Sequence, residues 1–178
     1  MYSVWTRANA LFFMSLTVLG ILVALTAITT IIHVDKVAVD KLEMSSFHSL
    51  RKYRDKTDRA TIAFDLKADL SSIFNWNVKQ IFLYIIAEFE TPQNKLNEVV
   101  IWDWIIGKKE DADLDYDDEM VKYFLASQYD DLRGANVTLR LEWDVMPVCG
   151  RLYKGSYHSP KGSFLLPDLY QGSAADMN

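Results

Sequence analysis

The densest group of reactive side chains in this sequence is acidic: Glu110, Asp111, Asp113, Asp115, Asp117, Asp118 and Glu119. Carboxylates at alternate positions are the ligands of a calcium loop, but an EF-hand also needs glycine at its sixth position and glutamate at its twelfth. Counted from Asp111, those positions hold Tyr116 and Lys122. The motif is broken, and the run reads as a solvated loop. The histidines, His33, His48 and His158, are too scattered for a metal site and lack zinc-ligand spacing. Ser156 and His158 share a face of any strand they occupy and come nearest to a nucleophile and its base. An extended backbone holds their Cα atoms nearly 7 Å apart, and no acid is placed to orient the imidazole. Cys149 is the only cysteine, which excludes an internal disulfide and suits a small apolar core position. Phosphate loops, dinucleotide fingerprints and nucleophile elbows do not occur. The expectation is a non-catalytic chain without cofactor or metal.

Asn136-Val137-Thr138 is an N-glycosylation acceptor, following the turn-like Arg133-Gly134-Ala135 and preceding a strand pattern. A glycan at Asn136 would sit on the surface and would require a luminal domain.

Whatever positions these groups is organised by one segment. From Ala8 through Ile32 no side chain is ionisable, and Leu, Ile, Val, Phe and Ala dominate. As a helix rising about 1.5 Å per residue, this run exceeds the roughly 30 Å hydrocarbon core of a bilayer. A cleaved signal peptide has an apolar core of only about 7–15 residues, so run length favours a retained signal-anchor. The expected organisation is a short tail (1–7), a membrane helix (8–32) and a polar domain (33–178). Threonine hydroxyls within the span can bond carbonyls four residues back. Trp5 and His33 fall at its ends, where amphipathic rings suit the headgroup zone. Arg7 on one side and Lys36, Lys41, Arg51 and Lys52 on the other leave the orientation open, because long domains translocate largely regardless of charge.

The polar remainder is long enough for one domain with a real core. A net charge of −5 and the lack of any basic stripe argue against nucleic acid as a partner. Apolar residues alternate along Ile62–Leu70 and Val137–Val145, as half-buried strands require. Ile81–Phe89 and Val99–Ile106 are apolar on both faces and suit central strands, with Thr91-Pro92-Gln93-Asn94 as the turn between them. Weaker strands are expected at Lys36–Met44, Val121–Ala126 and Ser156–Leu165, with Ser45–Asp58 as a polar surface connection. The fold class is mainly β, an antiparallel sandwich with one N-terminal membrane helix. Trp76, Trp102, Trp104 and Trp143 are expected to pack as an aromatic core.

The block Phe74-Asn75-Trp76-Asn77-Val78-Lys79-Gln80 resembles the signal peptidase complex subunit 3 family. The likeness continues through Ile81–Tyr84, Ala87-Glu88, Val99-Val100, Trp102-Asp103, Lys122-Tyr123-Phe124 and Asn136–Leu139, and includes Arg7-Ala8-Asn9 at the start. It covers nearly the whole chain, departing in the acidic run and at Ser45–Asp58. The resemblance implies a non-catalytic subunit that supports signal-peptide removal by holding and positioning a separate catalytic subunit. It also implies an endoplasmic-reticulum membrane location, a cytosolic N-terminus and a luminal glycosylated domain. The partners would be the catalytic and other subunits, together with the lipid bilayer. Asn75, Trp76, Asn77, Lys79 and Gln80 form the candidate structural or partner-contact motif. A different class is an anchored ectodomain that binds a ligand or cell-surface partner through an aromatic face.

Overall fold

The computed structural model describes residues 3–33, 36–53 and 57–171. Helix α1 runs Val4–Ile31, and its first turn is capped by Ser3, whose hydroxyl accepts from the Trp5 amide at 3.3 Å. Within Val4–Thr30 an 18-residue stretch reaches a mean hydropathy of 2.5, and that stretch is not buried against the rest of the chain. Several of the helix's hydroxyls are satisfied by its own carbonyls. Thr17 and Thr26 donate to the carbonyls of Phe13 and Leu22 at 2.9 Å, while Thr29 and Thr30 reach back three residues.

The strands are β1 (Ala38–Lys52), β2 (Asp58–Asp69), β3 (Val78–Phe89), β4 (Asn97–Ile106), β5 (Asp113–Met120), β6 (Leu125–Ala126), β7 (Asn136–Pro147) and β8 (Tyr153–Leu165). One sheet has the order β1-β2-β5, with β6 also on β2; the other is β4-β3-β7-β8. Both are antiparallel. Inward residues of β2 (Ile62, Phe64, Leu66), β3 (Ile81, Leu83, Ile85) and β7 (Val137, Leu139, Leu141, Val145) are fully buried and form the core between the sheets. Trp102 on β4 joins the layers: its ring meets Phe64 of β2 and Tyr116 of β5 edge-on, each with centroids 5.5 Å apart.

Five expectations need correction. Ser45–Lys52 is not a connection but the second half of β1. Register shifts at Val39/Lys41, Met44/Ser46 and Phe47/Ser49 break its alternation by two, so no clean period survives in the residues. The acidic run is not a loop beyond the short turn Lys109–Asp111. Most of it is edge strand β5, with Leu114 turned inward and Asp113, Asp115 and Asp117 outward. Charges on an edge discourage pairing with another chain. Val99–Ile106 is also an edge rather than a central strand, leaving Trp104 and Ile105 exposed. Val121–Ala126 is a strand only at Leu125-Ala126, and β8 begins earlier than expected, at Tyr153. There Gly155 leaves room for the Trp143 indole, which lies where a Cβ would be, 2.3 Å from its ideal position.

The acidic strand is tied in by hydrogen bonds. Asp118, at φ 53°, sits in a bulge opposite Asp65 and donates its amide N–H to the Asp65 carboxylate at 2.8 Å. Lys41 of β1 donates to the other Asp65 oxygen at 2.6 Å, while Ser45 and Ser46 donate to Asp118 at 2.7 and 2.8 Å. On the outer face of the second sheet, Arg140 pairs with Glu88, Glu98 and Glu142.

The end of the described chain returns to the first strand. Leu50 and Gln171 exchange backbone hydrogen bonds of 2.7 and 2.9 Å, and Tyr170 donates its hydroxyl to buried Asp58 at 2.9 Å. Ser159 donates to the carbonyl of Leu42 at 2.6 Å.

Candidate functional site

Residues Val78 and Pro147 pair where β3 begins and β7 ends. The segment before β3 and the loop after β7 therefore emerge side by side, and both lie against the last turns of α1. Between them is a cleft of about 1040 Å³, lined by Ala27, Thr30 and His33 of the helical end and by Asn75, Asn77 and Cys149 of the domain, among others.

Asn75 makes a local turn, its Oδ1 accepting from the Asn77 amide at 2.9 Å. That turn directs the Asn77 side chain into the β7–β8 loop, where it is only 2 % exposed. Its Nδ2 donates to the Cys149 carbonyl at 2.7 Å, and its Oδ1 accepts from the Cys149 amide at 3.0 Å. The Val148 amide donates to the Asn77 carbonyl at 2.6 Å. The loop held this way reaches the helix. The Cys149 thiol lies 3.9 Å from the Val23 carbonyl, and a Cβ on Gly150 (φ +104°) would come within 3.2 Å of the Ala27 methyl. Glycine is needed there for both the backbone angle and the close approach. On the helical side, His33 Nε2 donates to the Ser72 carbonyl at 2.9 Å. The Trp76 ring stands edge-on to His33, with centroids 6.2 Å apart. Across the cleft, Asp144 pairs with Lys154 at 3.3 Å and holds its ammonium pKa above the ordinary value.

The five residues of the candidate motif divide by role. Asn75 and Asn77 face the cleft and build it. Trp76 was expected to be buried but is 65 % exposed, because the Asn75 turn projects it outward beside the helix end. Lys79 is exposed on β3, and half-buried Gln80 donates to the sulfur of cleft-lining Met146 at 3.2 Å, neither Lys79 nor Gln80 lining the cleft itself. Cys149 is a half-buried loop residue rather than a core one. Its thiol points to Asn77 Oδ1 at 3.2 Å, and an amide oxygen is no general base. Ser156 and His158 are both exposed on edge strand β8, opposite Glu142 and Arg140. Asn136 is exposed at the start of β7. Reasoning from sequence missed Val148–Leu152 as part of the site. Pro147 and Gly150 are turn-forming residues that could have flagged this loop, but nothing local signals its contact with the helix. The geometry describes a clamp that fixes a β domain against a transmembrane helix.

These features define a single-pass membrane protein with a two-sheet β domain. The family described as "Signal peptidase subunit" matches residues 1–168, and the chain belongs to that family. Among its relatives is signal peptidase complex subunit 3 of Gallus gallus, 40% identical, with 96% of this chain and 97% of the relative covered. The Homo sapiens protein of the same name is 39% identical over the same shares. That of Drosophila melanogaster is 36% identical, covering 85% of this chain and 88% of its own length.

Proposed function

We propose that this chain is a non-catalytic accessory subunit of the signal peptidase complex, supporting removal of N-terminal signal peptides from nascent secretory and membrane proteins. The observation that carries this reading is the family match over residues 1–168, which takes in helix and β domain together. The chain is a single-pass protein of the endoplasmic-reticulum membrane, and its partners are other subunits of the complex. The rival reading, an ectodomain for a ligand or cell-surface partner, is not favoured, because the relatives' likeness spans the anchor as well as the domain.

Within this function, the N-terminus is cytosolic and the β domain luminal, where it holds and positions the catalytic subunit. The site of Asn136 supports the luminal side. It lies at the opposite end of β7 from the helix clamp, roughly 35 Å away at strand rise, and is clear of the membrane for a glycan. In the 75–80 block, Asn75 and Asn77 maintain the clamp, while exposed Trp76 and Lys79 are the side chains free to meet a neighbour.

Depleting the protein tests the function directly. Unprocessed precursors should accumulate in the endoplasmic reticulum, and the Ser156→Ala/His158→Ala double variant should restore processing fully. Normal processing without the protein, with no redundant copy present, overturns the reading. In intact microsomes, added protease should leave the β domain uncut; digestion would reverse the orientation.

A further inference from the structure

The depth at which the β7–β8 loop touches the helix has a consequence for where it sits in the bilayer. With Arg7 at one interface, about 20 helical residues span the roughly 30 Å hydrocarbon core, which places the far boundary near Ala27. The loop contacts α1 at Val23 and Ala27, at that boundary and about one turn inside it. We propose that the loop Val148–Leu152 is inserted into the lipid at the membrane interface and seats the β domain on the bilayer.

The side chains fit that position. Val148 is 70% exposed and Leu152 61% exposed, large apolar groups flanking the helix contact. Exposed Arg151 between them can lay its methylenes along the acyl region and extend its guanidinium to lipid phosphates. Exposed Trp76 lies at the same end of the domain, beside His33, at headgroup depth. The backbone also fits. A loop entering a medium without water must have its polar groups satisfied internally. The Val148 amide and both backbone polar groups of Cys149 are already bonded to Asn77. A lipid surface therefore explains together the exposed apolar tips, the cation between them, the bonded backbone of Val148 and Cys149 at the helix contact, and the contact depth. A protein segment would require only the first.

The inference rests on the single-pass reading, which resistance of the chain to alkaline extraction from membranes tests separately. The full chain is reconstituted alone in phosphatidylcholine vesicles, with an environment-sensitive fluorophore on Leu152→Cys in a Cys149→Ser background. Lipids carrying a nitroxide near the glycerol end of the acyl chain should at least halve its emission. Aqueous iodide should quench it several-fold less than the same probe on Gln93→Cys, in the distal β3–β4 turn. Iodide quenching equal to that at Gln93 overturns the proposal. A second measurement keeps Cys149: a photoreactive diazirine residue at Leu152 of the full chain should yield an adduct of phospholipid mass, in vesicles and in membranes holding the assembled complex. A protein adduct in place of lipid, or no lipid adduct in vesicles, overturns it as well.

Discussion

The carboxamide of Asn77 closes a two-point hydrogen-bonded ring with the backbone of Cys149, donating at 2.7 Å and accepting at 3.0 Å, although strands β3 through β7 separate the two in sequence. No other polar side chain of this size offers a donor and an acceptor side by side. Asn77→Asp keeps the acceptor, loses the donor and sets a carboxylate against a carbonyl. Asn77→Ala strands both backbone groups of Cys149.

For Asn77→Ala the expected loss is about 2 kcal/mol, since a buried polar group left unpaired costs roughly 1–3 kcal/mol. In a domain of this size that lowers Tm by about 4–8 °C. Thermal unfolding of the purified chain in detergent measures the drop. Hydrogen exchange should show the loosening concentrated in residues 148–152.

The tryptophans should separate sharply. Trp102 is 1% exposed and bridges the sheets, so Trp102→Ala should cost about 3–5 kcal/mol and leave little folded domain. Trp76→Ala, at an exposed position, should change stability by no more than about 0.5 kcal/mol. Denaturant titration of both variants checks the contrast; equal losses would mean that Trp76 is buried in the assembled molecule.

Acid should release β5 from the sheet. The Asp118 amide and then the Lys41 ammonium stabilise ionised Asp65 and lower its pKa, while Ser45 and Ser46 do the same for Asp118. A lowered carboxylate pKa adds stability above the unfolded value, about 3.9, and that stability is lost as pH falls through the folded value. Melting curves between neutral pH and acid should fall off below about pH 4. Asp65→Asn should begin less stable at neutral pH and lose less on acidification.

A glycan on Asn136 would be removed by Asn136→Gln. The variant should migrate faster on a gel, as should wild type after glycosidase treatment. Signal-peptide processing should be unchanged, because Asn136 lies at the end of the domain away from the clamp. An unmodified Asn136 in a protease-protected domain would make the sequon an unused one.

What the residues revealed beforehand follows from periodicity. The anchor helix, β2, β3 and β7 carry unbroken apolar patterns, and each formed where its pattern lay. Strand β1 was half hidden because three bulges shift its phase, and Met44, Phe47 and Leu50 then fall out of step. Strand β5 was hidden by charge, since an edge strand needs only Leu114 and Tyr116 inward while its remaining positions stay polar. Edge and centre could not be told apart for β4, because Trp102 and Trp104 share one face of the strand, stacked with centroids 6.3 Å apart, yet only Trp102 is covered by the other sheet while Trp104 stays exposed. The clamp was least legible. The Asn75–Gln80 block stood out, but a hydrogen bond from Asn77 to Cys149 has no local periodicity to announce it.

The return of Gln171 to Leu50, with Tyr170 on Asp58 and Ser159 on Leu42, sets the timetable of biosynthesis. Strand β1 follows directly on the anchor, yet its last partners are made at the far end of the chain. Contacts of such long sequence separation form slowly and only after their loops have closed. Maturation of the domain must therefore wait until translation has passed Gln171. During that interval β1 and β2 have an apolar face without its opposing layer, which makes the nascent chain a client for chaperones on the side where it emerges. A chain interrupted before Ser159 would keep its anchor but never seal the domain, and quality control should remove it.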